Sequence, residues 1–503
     1  MSSKNAYEEK GIGASIFEQL IHGTTLDANG DPVAQYHLEL QYEYASTYLE
    51  TIANTKLPFL NNALTGRAQL LFRAANSIHQ YITQQFQTTD ELKKFAVYVL
   101  YHVRFVQIET HDMSDALKIF ETINQRGIGL TPMDLLKNMI FRQVPRSKFS
   151  DLNAQWKRIM ELLQDGKVKE LPLCFLRYYL MATYDTTDLR DGILREDSIY
   201  NWLNAHPDKC NYQKDPFGFV NSMKAGAERY MKYLEGGGSE PGDNHIKNIT
   251  QLGGSAYKLH LLLLLAARNM GSKALTRLKE LLESIVYYTI VNQVKTNEVE
   301  RMYALWCPKI RKIKTEDDLT TFIQTDVIPA TNQRKVNNKA NFMLLGFGYM
   351  QQYRIKFILA RITKYVETKR KNGGDATCVD EFYDGGVEIE HILPQTITGG
   401  VPPFGLTQAE YDVIKQRLGN LTLLEKTINA SIQNDDYASN SAAYLQSAYY
   451  LTHSIAQLDD LGQNTAINKM NQRLKAWADW NEKTITERQE ILYFLSEDIW
   501  TIQ

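Results

Sequence analysis

One short stretch of the chain places an acid and a histidine side by side. Glu390 and His391 lie within Glu388–Gln395, which reads Glu-Ile-Glu-His-Ile-Leu-Pro-Gln. A carboxylate is a hard oxygen ligand for Mg²⁺ or Mn²⁺, and a neutral imidazole titrates near pH 7 and can take a proton from water. Phosphodiester hydrolysis needs both groups and a scaffold that fixes them. The stretch therefore predicts metal-dependent phosphodiesterase chemistry.

The surrounding residues predict that scaffold. Apolar and acidic residues alternate in Val387–Glu390, which predicts a short strand with the carboxylates of Glu388 and Glu390 on one face and His391 at its exit. Pro394 cannot donate a ladder hydrogen bond, so the strand should end before it. After a loop we expect a short helix, a returning strand and the start of another helix, in residues 411–418, 420–424 and 425–434.

This order resembles that of the HNH, or ββα-metal, endonucleases, and in particular the nuclease part of GmrSD-type modification-dependent restriction enzymes. Three segments carry the resemblance. Glu388–Gln395 is the first, Leu418–Leu424 (Leu-Gly-Asn-Leu-Thr-Leu-Leu) the second, and Ile428–Asn434 (Ile-Asn-Ala-Ser-Ile-Gln-Asn) the third. The resemblance implies cleavage that leaves 5′-phosphate and 3′-hydroxyl ends.

The resemblance also implies a role for each matching residue. His391 would be the general base, and Asn420 would brace the loop beneath it. Glu390 and Asn429 would be the protein ligands of one Mg²⁺ or Mn²⁺ ion. Two further residues would support the site or contact nucleic acid: Glu388 and Asn434.

Each of these residues also has an ordinary structural explanation when taken alone. A histidine after an alternating strand is usually a hydrogen-bonded packing residue, and an asparagine before a strand commonly serves a turn. Packing alone does not readily produce the three motifs at these separations, which favours the nuclease. One departure is Asn440, near a position where relatives often carry a lysine. That departure favours low turnover or a non-catalytic adaptor.

A second resemblance lies upstream, in Ala116–Phe141, which contains Phe-Glu-Thr-Ile-Asn-Gln-Arg-Gly. The segment is similar to the one linking the regulatory and nuclease halves of GmrSD-like proteins. Pro132 after a Thr131 cap predicts the second helix of a helical hairpin. Its polar residues either report nucleotide state or form a capped, salt-bridged turn, and we prefer the turn. They are Glu121, Asn124, Arg126, Asp134 and Lys137.

Nucleotide handling is predicted to lie outside this chain. GmrSD-like proteins carry an Asp-Gly-Gln-Gln-Arg motif ahead of that linking segment, and the string does not occur here. The glycine-rich stretch 236–242 lacks the Gly-Lys-Ser/Thr ending of a phosphate-binding loop and predicts an exposed flexible linker. The resemblance then implies a chain that lacks the N-terminal nucleotide-handling part and works with a separate nucleotide-binding subunit.

Composition indicates a large soluble protein. The 503 residues, 44% hydrophobic, are enough for two or three domains. The four cysteines are widely spaced without a Cys-x-x-Cys pair, which argues against a zinc site and a disulfide framework and suits a reducing cytoplasm. The longest apolar run, 259–267, is too short to span a bilayer, and the amino terminus lacks a signal-peptide core. We therefore expect a cytoplasmic location and no membrane contact.

Charge predicts only local contacts with nucleic acid. The net charge of −2 gives no general basic field. Lys369, Arg370 and Lys371 form a cluster just ahead of the predicted nuclease strand and are candidate phosphate contacts, although such clusters are more often solvated helix faces. We expect weak DNA affinity for the chain alone, with the partner or a trigger delivering the substrate.

Helical apolar periodicity dominates the chain and predicts a mainly α protein. We expect an N-terminal helical region in residues 1–115, a helical middle region in 116–335, and a C-terminal α+β HNH nuclease domain in 336–503. The predicted function is metal-dependent cleavage of DNA in an anti-phage or modification-dependent restriction system. An RNA-cleaving, toxin-like nuclease and a non-catalytic DNA-binding or scaffolding subunit stay open as alternatives, as does a homo-oligomer.

Overall fold

The computed structural model describes most of the chain. The described ranges are 22–26, 30–36, 66–104, 132–164, 168–373, 378–397, 400–432, 436–462 and 464–502. The chain divides into two compact units, Met1–Ile119 and Phe120–Gln503. Three of the polar residues predicted for the helical hairpin, Glu121, Asn124 and Arg126, lie outside the described residues, as does Asn434.

The first unit contains a β-hairpin and helical segments. Strands β1 (His22–Leu26) and β2 (Pro32–Tyr36) pair in antiparallel fashion. The helical segments that follow are α1 (Gly66–Gln85), α2 (Thr89–Val97) and a π-helical turn (Tyr98–His102). The expected N-terminal helical region thus also contains a hairpin that was not predicted. Asn29-Gly30 was the available signal, because both residues tolerate the positive φ of a tight hairpin turn.

The described residues between positions 132 and 373 are helical, joined by short turns. The helices are α3 (Pro132–Phe141), α4 (Phe149–Gln164), α5 (Pro172–Thr183), α6 (Ile199–Ala205), α7 (Pro207–Cys210), α8 (Pro216–Leu234), α9 (Asp243–Gly253), α10 (His260–Ala266), α11 (Ser272–Val291), α12 (Thr296–Ile310), α13 (Glu316–Phe322), α14 (Ile328–Phe342) and α15 (Gln352–Arg370). In α3, Lys137 Nζ donates to Asn153 Oδ1 of α4 over 2.7 Å, a packing contact between helices.

Buried side chains from Met133 to Ile502 form one main hydrophobic core in the second unit. The predicted domain boundary near residue 335 falls inside α14. The division into three domains stays a prediction. None of the described helices has both the length and the apolar character needed to cross a bilayer.

The glycine-rich stretch between α8 and α9 is exposed at residues 238–241, as predicted, and side-chain contacts hold it as a turn; its flexibility stays a prediction. Asp243 is buried and accepts the backbone N–H of Gly238 over 2.7 Å. The buried Lys279 Nζ donates to Asp243 Oδ1 over 2.5 Å and to the carbonyl oxygen of Pro241 over 3.2 Å. Asp243 of α9 and Lys279 of α11 together hold the turn, which its composition alone does not indicate.

A two-stranded sheet and short helices complete the chain. They are β3 (Val387–His391), α16 (Gln408–Ile414), β4 (Leu421–Glu425), α17 (Lys426–Asn429), α18 (Tyr437–Tyr444), α19 (Tyr450–Ala456), α20 (Ala466–Asn471) and α21 (Glu482–Ile499). The predicted order of strand, loop, helix, strand and helix is confirmed within a few residues at each end. The mainly α fold with a C-terminal α+β region is likewise confirmed.

Strands β3 and β4 are antiparallel and form a hairpin with two different faces. Because side chains alternate along a strand, Val387, Ile389 and His391 share one face, and Glu388 and Glu390 share the other. The first face packs on the main core through Val387 and Ile389. The second face lies on the side of a smaller core built from residues of β4, α16, α18 and α21. The adjacent residues Glu390 and His391 therefore lie on opposite faces of the hairpin.

Candidate functional site

The imidazole of His391 lies at the end of β3 and is 6% exposed. Gln395 Nε2 donates to its Nδ1 over 2.9 Å, and Gln416 Oε1 lies 3.5 Å from its Nε2. The ring also packs edge-on against Phe347, with centroids 5.2 Å apart. Burial lowers the pKa of His391 below its usual 6.5. The ring is therefore neutral at pH 7, the state that a general base requires.

His391 lines an open cleft of about 420 Å³. The other lining residues are Phe347, Gln352, Tyr353, Lys356, Val387, Glu388, Ile389 and Gln395. Lys356 places a cation in the wall of this cleft. The cleft thus contains one cation, Lys356, one carboxylate, Glu388, and a neutral imidazole.

The Glu390 carboxylate leaves β3 on the opposite face from His391. The buried hydroxyl of Tyr444 donates to Glu390 Oε1 over 3.4 Å. Burial raises the pKa of Glu390 from 4.5 to about 7, and no cation of the described residues offsets that effect. Behind Tyr444, the buried Arg488 donates to the backbone oxygens of Gly419 and Leu421. Hydrogen bonds from Tyr444 and from the backbone N–H of His391 offset the effect of burial only in part, so the charge of Glu390 is incompletely compensated among the described residues.

Asn429 lies on the same face of the hairpin, because its Nδ2 donates to Glu388 Oε2 over 2.7 Å. Its other side-chain atom, Oδ1, is buried and has no hydrogen-bond partner in the described part of the chain. A buried acceptor without a partner costs about 1–3 kcal/mol. A water molecule or a cation could serve as the partner of this atom.

The oxygen donors on this face suit Mg²⁺ or Mn²⁺. Glu390 offers a carboxylate without a cation and Asn429 a carbonyl without a donor. Within the described ranges, no three His, Cys, Asp or Glu side chains converge as a metal site. That does not disfavour Mg²⁺, which commonly uses one or two protein ligands, with water and substrate phosphates completing its octahedron.

Asn420 connects the two strands beneath the loop that follows His391. Its Oδ1 accepts the backbone N–H of Leu393 over 2.8 Å and the indole N–H of Trp480 over 2.9 Å. Its Nδ2 donates to the carbonyl oxygens of Leu393 and Lys415, over 3.0 and 2.9 Å. All four bonds are made by a side chain that is fully buried. These are the contacts that a residue bracing the loop would make.

The structure brings some of the predicted residues together and separates others. Glu388, Glu390 and Asn429 share one face of the hairpin and His391 lies on the other; Glu388 also lines the cleft of His391, whereas Glu390 and Asn429 do not. Glu390 and His391 point to opposite faces because regular strand pairing continues through His391. The sequence pattern predicts His391 at the end of the strand and does not predict this separation.

The basic cluster does not reach the cleft of His391. Arg370 and Lys371 both pair with Glu367, over 2.7 and 3.5 Å. Lys369 lines a different pocket. Lys356 is the cation that lines the cleft instead.

Sequence reasoning missed several residues that surround the predicted ones. Gln395 immediately follows Pro394 in the motif, so its proximity to His391 could have been inferred from the short spacing. The other missed contacts come from distant segments and carry no local signal. They are Lys356, Gln416, Tyr444, Trp480 and Arg488.

Glu390→Gln is expected to stabilise the metal-free protein at alkaline pH. The raised pKa means that the folded wild type must ionise a buried carboxyl as pH rises from 4.5 through about 7, and it loses stability over that window. At pH 8 the variant should gain about 1–3 kcal/mol in the free energy of unfolding, and at pH 4 nothing. Urea denaturation at both pH values measures this. Glu381→Gln, at an exposed position, is the control. An equal change in the free energy of unfolding for the two variants at pH 8 would contradict a raised pKa of Glu390.

Gln395→Ala is expected to slow cleavage about tenfold, the effect of losing one orienting hydrogen bond worth about 1.4 kcal/mol. The donated bond favours the unprotonated Nδ1, so its loss should raise the pKa of His391. The acid limb of the pH–rate profile should move to higher pH. Gln416→Ala, which removes only a 3.5 Å contact, should have a smaller effect. An unchanged pH–rate profile in Gln395→Ala would show that Gln395 does not influence the protonation of His391.

Comparisons with known proteins give matches at both ends of the chain. Residues 332–493 match the C-terminal domain of the GmrSD restriction endonucleases, and residues 27–141 match the N-terminal domain of the same family. No curated protein matches the chain. The C-terminal match contains every predicted site residue. The N-terminal match corrects one expectation, because N-terminal domain sequence is present in this chain, although the Asp-Gly-Gln-Gln-Arg string is not.

Proposed function

The chain belongs to the GmrSD restriction endonucleases, and on that premise we propose that β3, β4 and α17 form a metal-dependent DNA-cleaving site of the HNH type. Family membership makes the protein a DNA endonuclease of a restriction and defence system. The metal, the residues that bind it and the general base are the proposal.

One observation supports the metal most directly. Glu390 and Asn429 present oxygen atoms to the same face of the hairpin: the half-buried Glu390 carboxylate has no cation among the described residues, and Asn429 Oδ1 is buried without a hydrogen-bond partner there. A divalent cation can bind a carboxylate and a carbonyl oxygen together and neutralise the carboxylate, whereas a water molecule would bond to both oxygens without supplying charge. We therefore assign Mg²⁺ or Mn²⁺ to Glu390 and Asn429.

Each side chain of the proposed site has its own role in the reaction. Neutral His391 takes the proton of the attacking water at Nδ1, the lone pair that Gln395 Nε2 occupies before the substrate enters, and the water oxygen bonds to phosphorus as the bond from phosphorus to the 3′ oxygen breaks. Bound Mg²⁺ supplies charge stabilisation to the phosphate and the departing oxygen. Asn420 fixes the loop, and Gln395 orients the imidazole. Since Glu390 and His391 leave opposite faces, the proposal requires a substrate that contacts both of them.

The substrate and partners follow from the same premise. We propose DNA as the substrate, a separate nucleotide-binding subunit as the activator, and a cytoplasmic location. The activator is proposed because the nucleotide-handling string is absent from this sequence even though residues 27–141 match the N-terminal domain of the family. The adaptor alternative relied on Asn440, which is only 4% exposed within α18 and so belongs to the packing of the domain rather than to an open phosphate contact.

Metal binding and cleavage together test the proposal. The purified chain, alone and with the candidate nucleotide-binding subunit, is incubated with plasmid DNA or RNA in Mg²⁺ or in chelator. Glu390→Gln and Asn429→Ala should each lower both DNA cleavage and Mn²⁺ binding seen by electron paramagnetic resonance. Glu381→Gln should change neither. Mn²⁺ binding that persists unchanged in both site variants would reject the assigned ligands, and degradation of RNA alone would select the RNA-cleaving alternative.

A further inference from the structure

A second open pocket, of about 440 Å³, lies where the last turns of α15 meet α20. Three cations from separate segments line it, namely Lys369 of α15, Lys469 of α20 and Arg473 beyond α20. Tyr365 forms part of its wall. The proposed nuclease site uses none of these residues.

Acidic groups balance only one of the three cations. Arg473 pairs with Asp498, which also accepts the Tyr365 hydroxyl over 3.0 Å. Lys369 Nζ lies 5.4 Å from the centre of the Tyr365 ring. Among the contacts of the described residues, neither Lys369 nor Lys469 has a carboxylate partner. The pocket therefore carries a net positive charge.

Ordinary helix chemistry explains only part of this arrangement. A lysine in the last turn of a helix compensates the negative end of the helix dipole, and this is sufficient for Lys369 alone. It does not explain why Lys469 and Arg473 face the same pocket from another segment. Like charges brought together repel one another unless an anion binds between them.

The pocket is separate from the cleft of His391. Lys356 lines the cleft and Lys369 lines the pocket, and both belong to α15. At 1.5 Å per residue they are about 20 Å apart along the helix, and at 3.6 residues per turn they point to nearly opposite sides of it. A phosphate in this pocket is therefore not the scissile one.

We propose that Lys369, Lys469 and Arg473 form a second binding site that takes phosphate groups, carried either by a nucleic-acid strand or by a free nucleotide. Lysine is a flexible point charge that binds phosphate from many directions, which suits an open pocket. Asn372 and Asn464 line the same pocket and supply amide groups for hydrogen bonds. This goes beyond the proposed cleavage chemistry, because it requires no metal and no general base.

The test compares binding in a full-length chain that carries His391→Ala to prevent cleavage. The variant Lys369→Gln/Lys469→Gln removes two charges from exposed side chains, and Lys273→Gln/Lys295→Gln removes two from exposed positions elsewhere. The probes are a fluorescent DNA duplex, GTP and inorganic pyrophosphate. Affinity for at least one nucleic-acid or nucleotide probe should fall about tenfold in the pocket variant only, and for the duplex the salt slope should fall by about 2.

The probes also distinguish the two sources of phosphate. A loss confined to the duplex assigns the pocket to a nucleic-acid strand, and a loss confined to GTP assigns it to a nucleotide. Equal affinities of the two double variants for every probe would overturn the proposal, as would a failure of the parent chain to bind any of them. Because no cleavage is measured, either result is independent of whether the nuclease proposal holds.

Discussion

His391→Ala is expected to lower the rate of DNA cleavage by about 10²–10⁴-fold, the contribution of a positioned general base. The variant removes the imidazole that burial keeps neutral at the wall of the cleft. DNA affinity should be unchanged, since phosphate contacts do not depend on this neutral group. Single-turnover cleavage at saturating DNA measures the rate, and fluorescence anisotropy measures the affinity.

The matched control for this prediction is His453→Ala. His453 belongs to the same region and is partly buried, with Nε2 bonded to Asp459 over 3.0 Å, but it does not line the cleft. Its removal should leave the cleavage rate within about threefold of wild type, since it makes no contact with the reacting groups. Equal losses in the two variants would mean that the first acts through folding.

Asn420→Ala is expected to lower the free energy of unfolding by about 3 kcal/mol and to abolish detectable cleavage. The change leaves two donors and two acceptors inside the domain without hydrogen-bond partners. Each such buried group costs about 1–3 kcal/mol before the structure relaxes. The loop after His391 loses its support at the same time. Urea denaturation followed by tryptophan fluorescence measures the stability, with Trp480 beside the substituted residue as a reporter.

Asn338→Ala is the control that distinguishes a loss of stability from a loss of support for the loop after His391. Asn338 is also fully buried, and its Nδ2 donates to Glu497 over 3.0 Å, away from the hairpin. This variant should lose stability but cleave DNA at the wild-type rate below its melting temperature. Cleavage by Asn420→Ala at a comparable rate would show that Asn420 is not needed to position His391.

Local patterns were sufficient to predict the hairpin of the site. The alternation in Val387–Glu390, the stop at Pro394 and the apolar run after Asn420 each fix backbone conformation within a few residues. The β1–β2 hairpin was missed because helical periodicity elsewhere outweighed one turn signal. The turn held by Asp243 was missed because its partner Lys279 comes from another helix.

The surroundings of the site could not be predicted in the same way. Tyr444 reaches Glu390 across 54 residues of sequence, and Trp480 reaches Asn420 across 60. Only the packing of the smaller core brings such residues together. Glu390 and His391 lie on opposite faces because strand pairing includes His391. Whether pairing ends one residue earlier or later cannot be predicted from the local sequence, and that single residue determines which face His391 occupies.

Cleavage of plasmid and modified phage DNA by wild type and His391→Ala, with the candidate partner present and absent, tests the central claim most directly. We expect cleavage by wild type in Mg²⁺, none in chelator and almost none by the variant. Cleavage that persists in chelator, or that the variant performs at the wild-type rate, would contradict a metal-dependent site with His391 as its base.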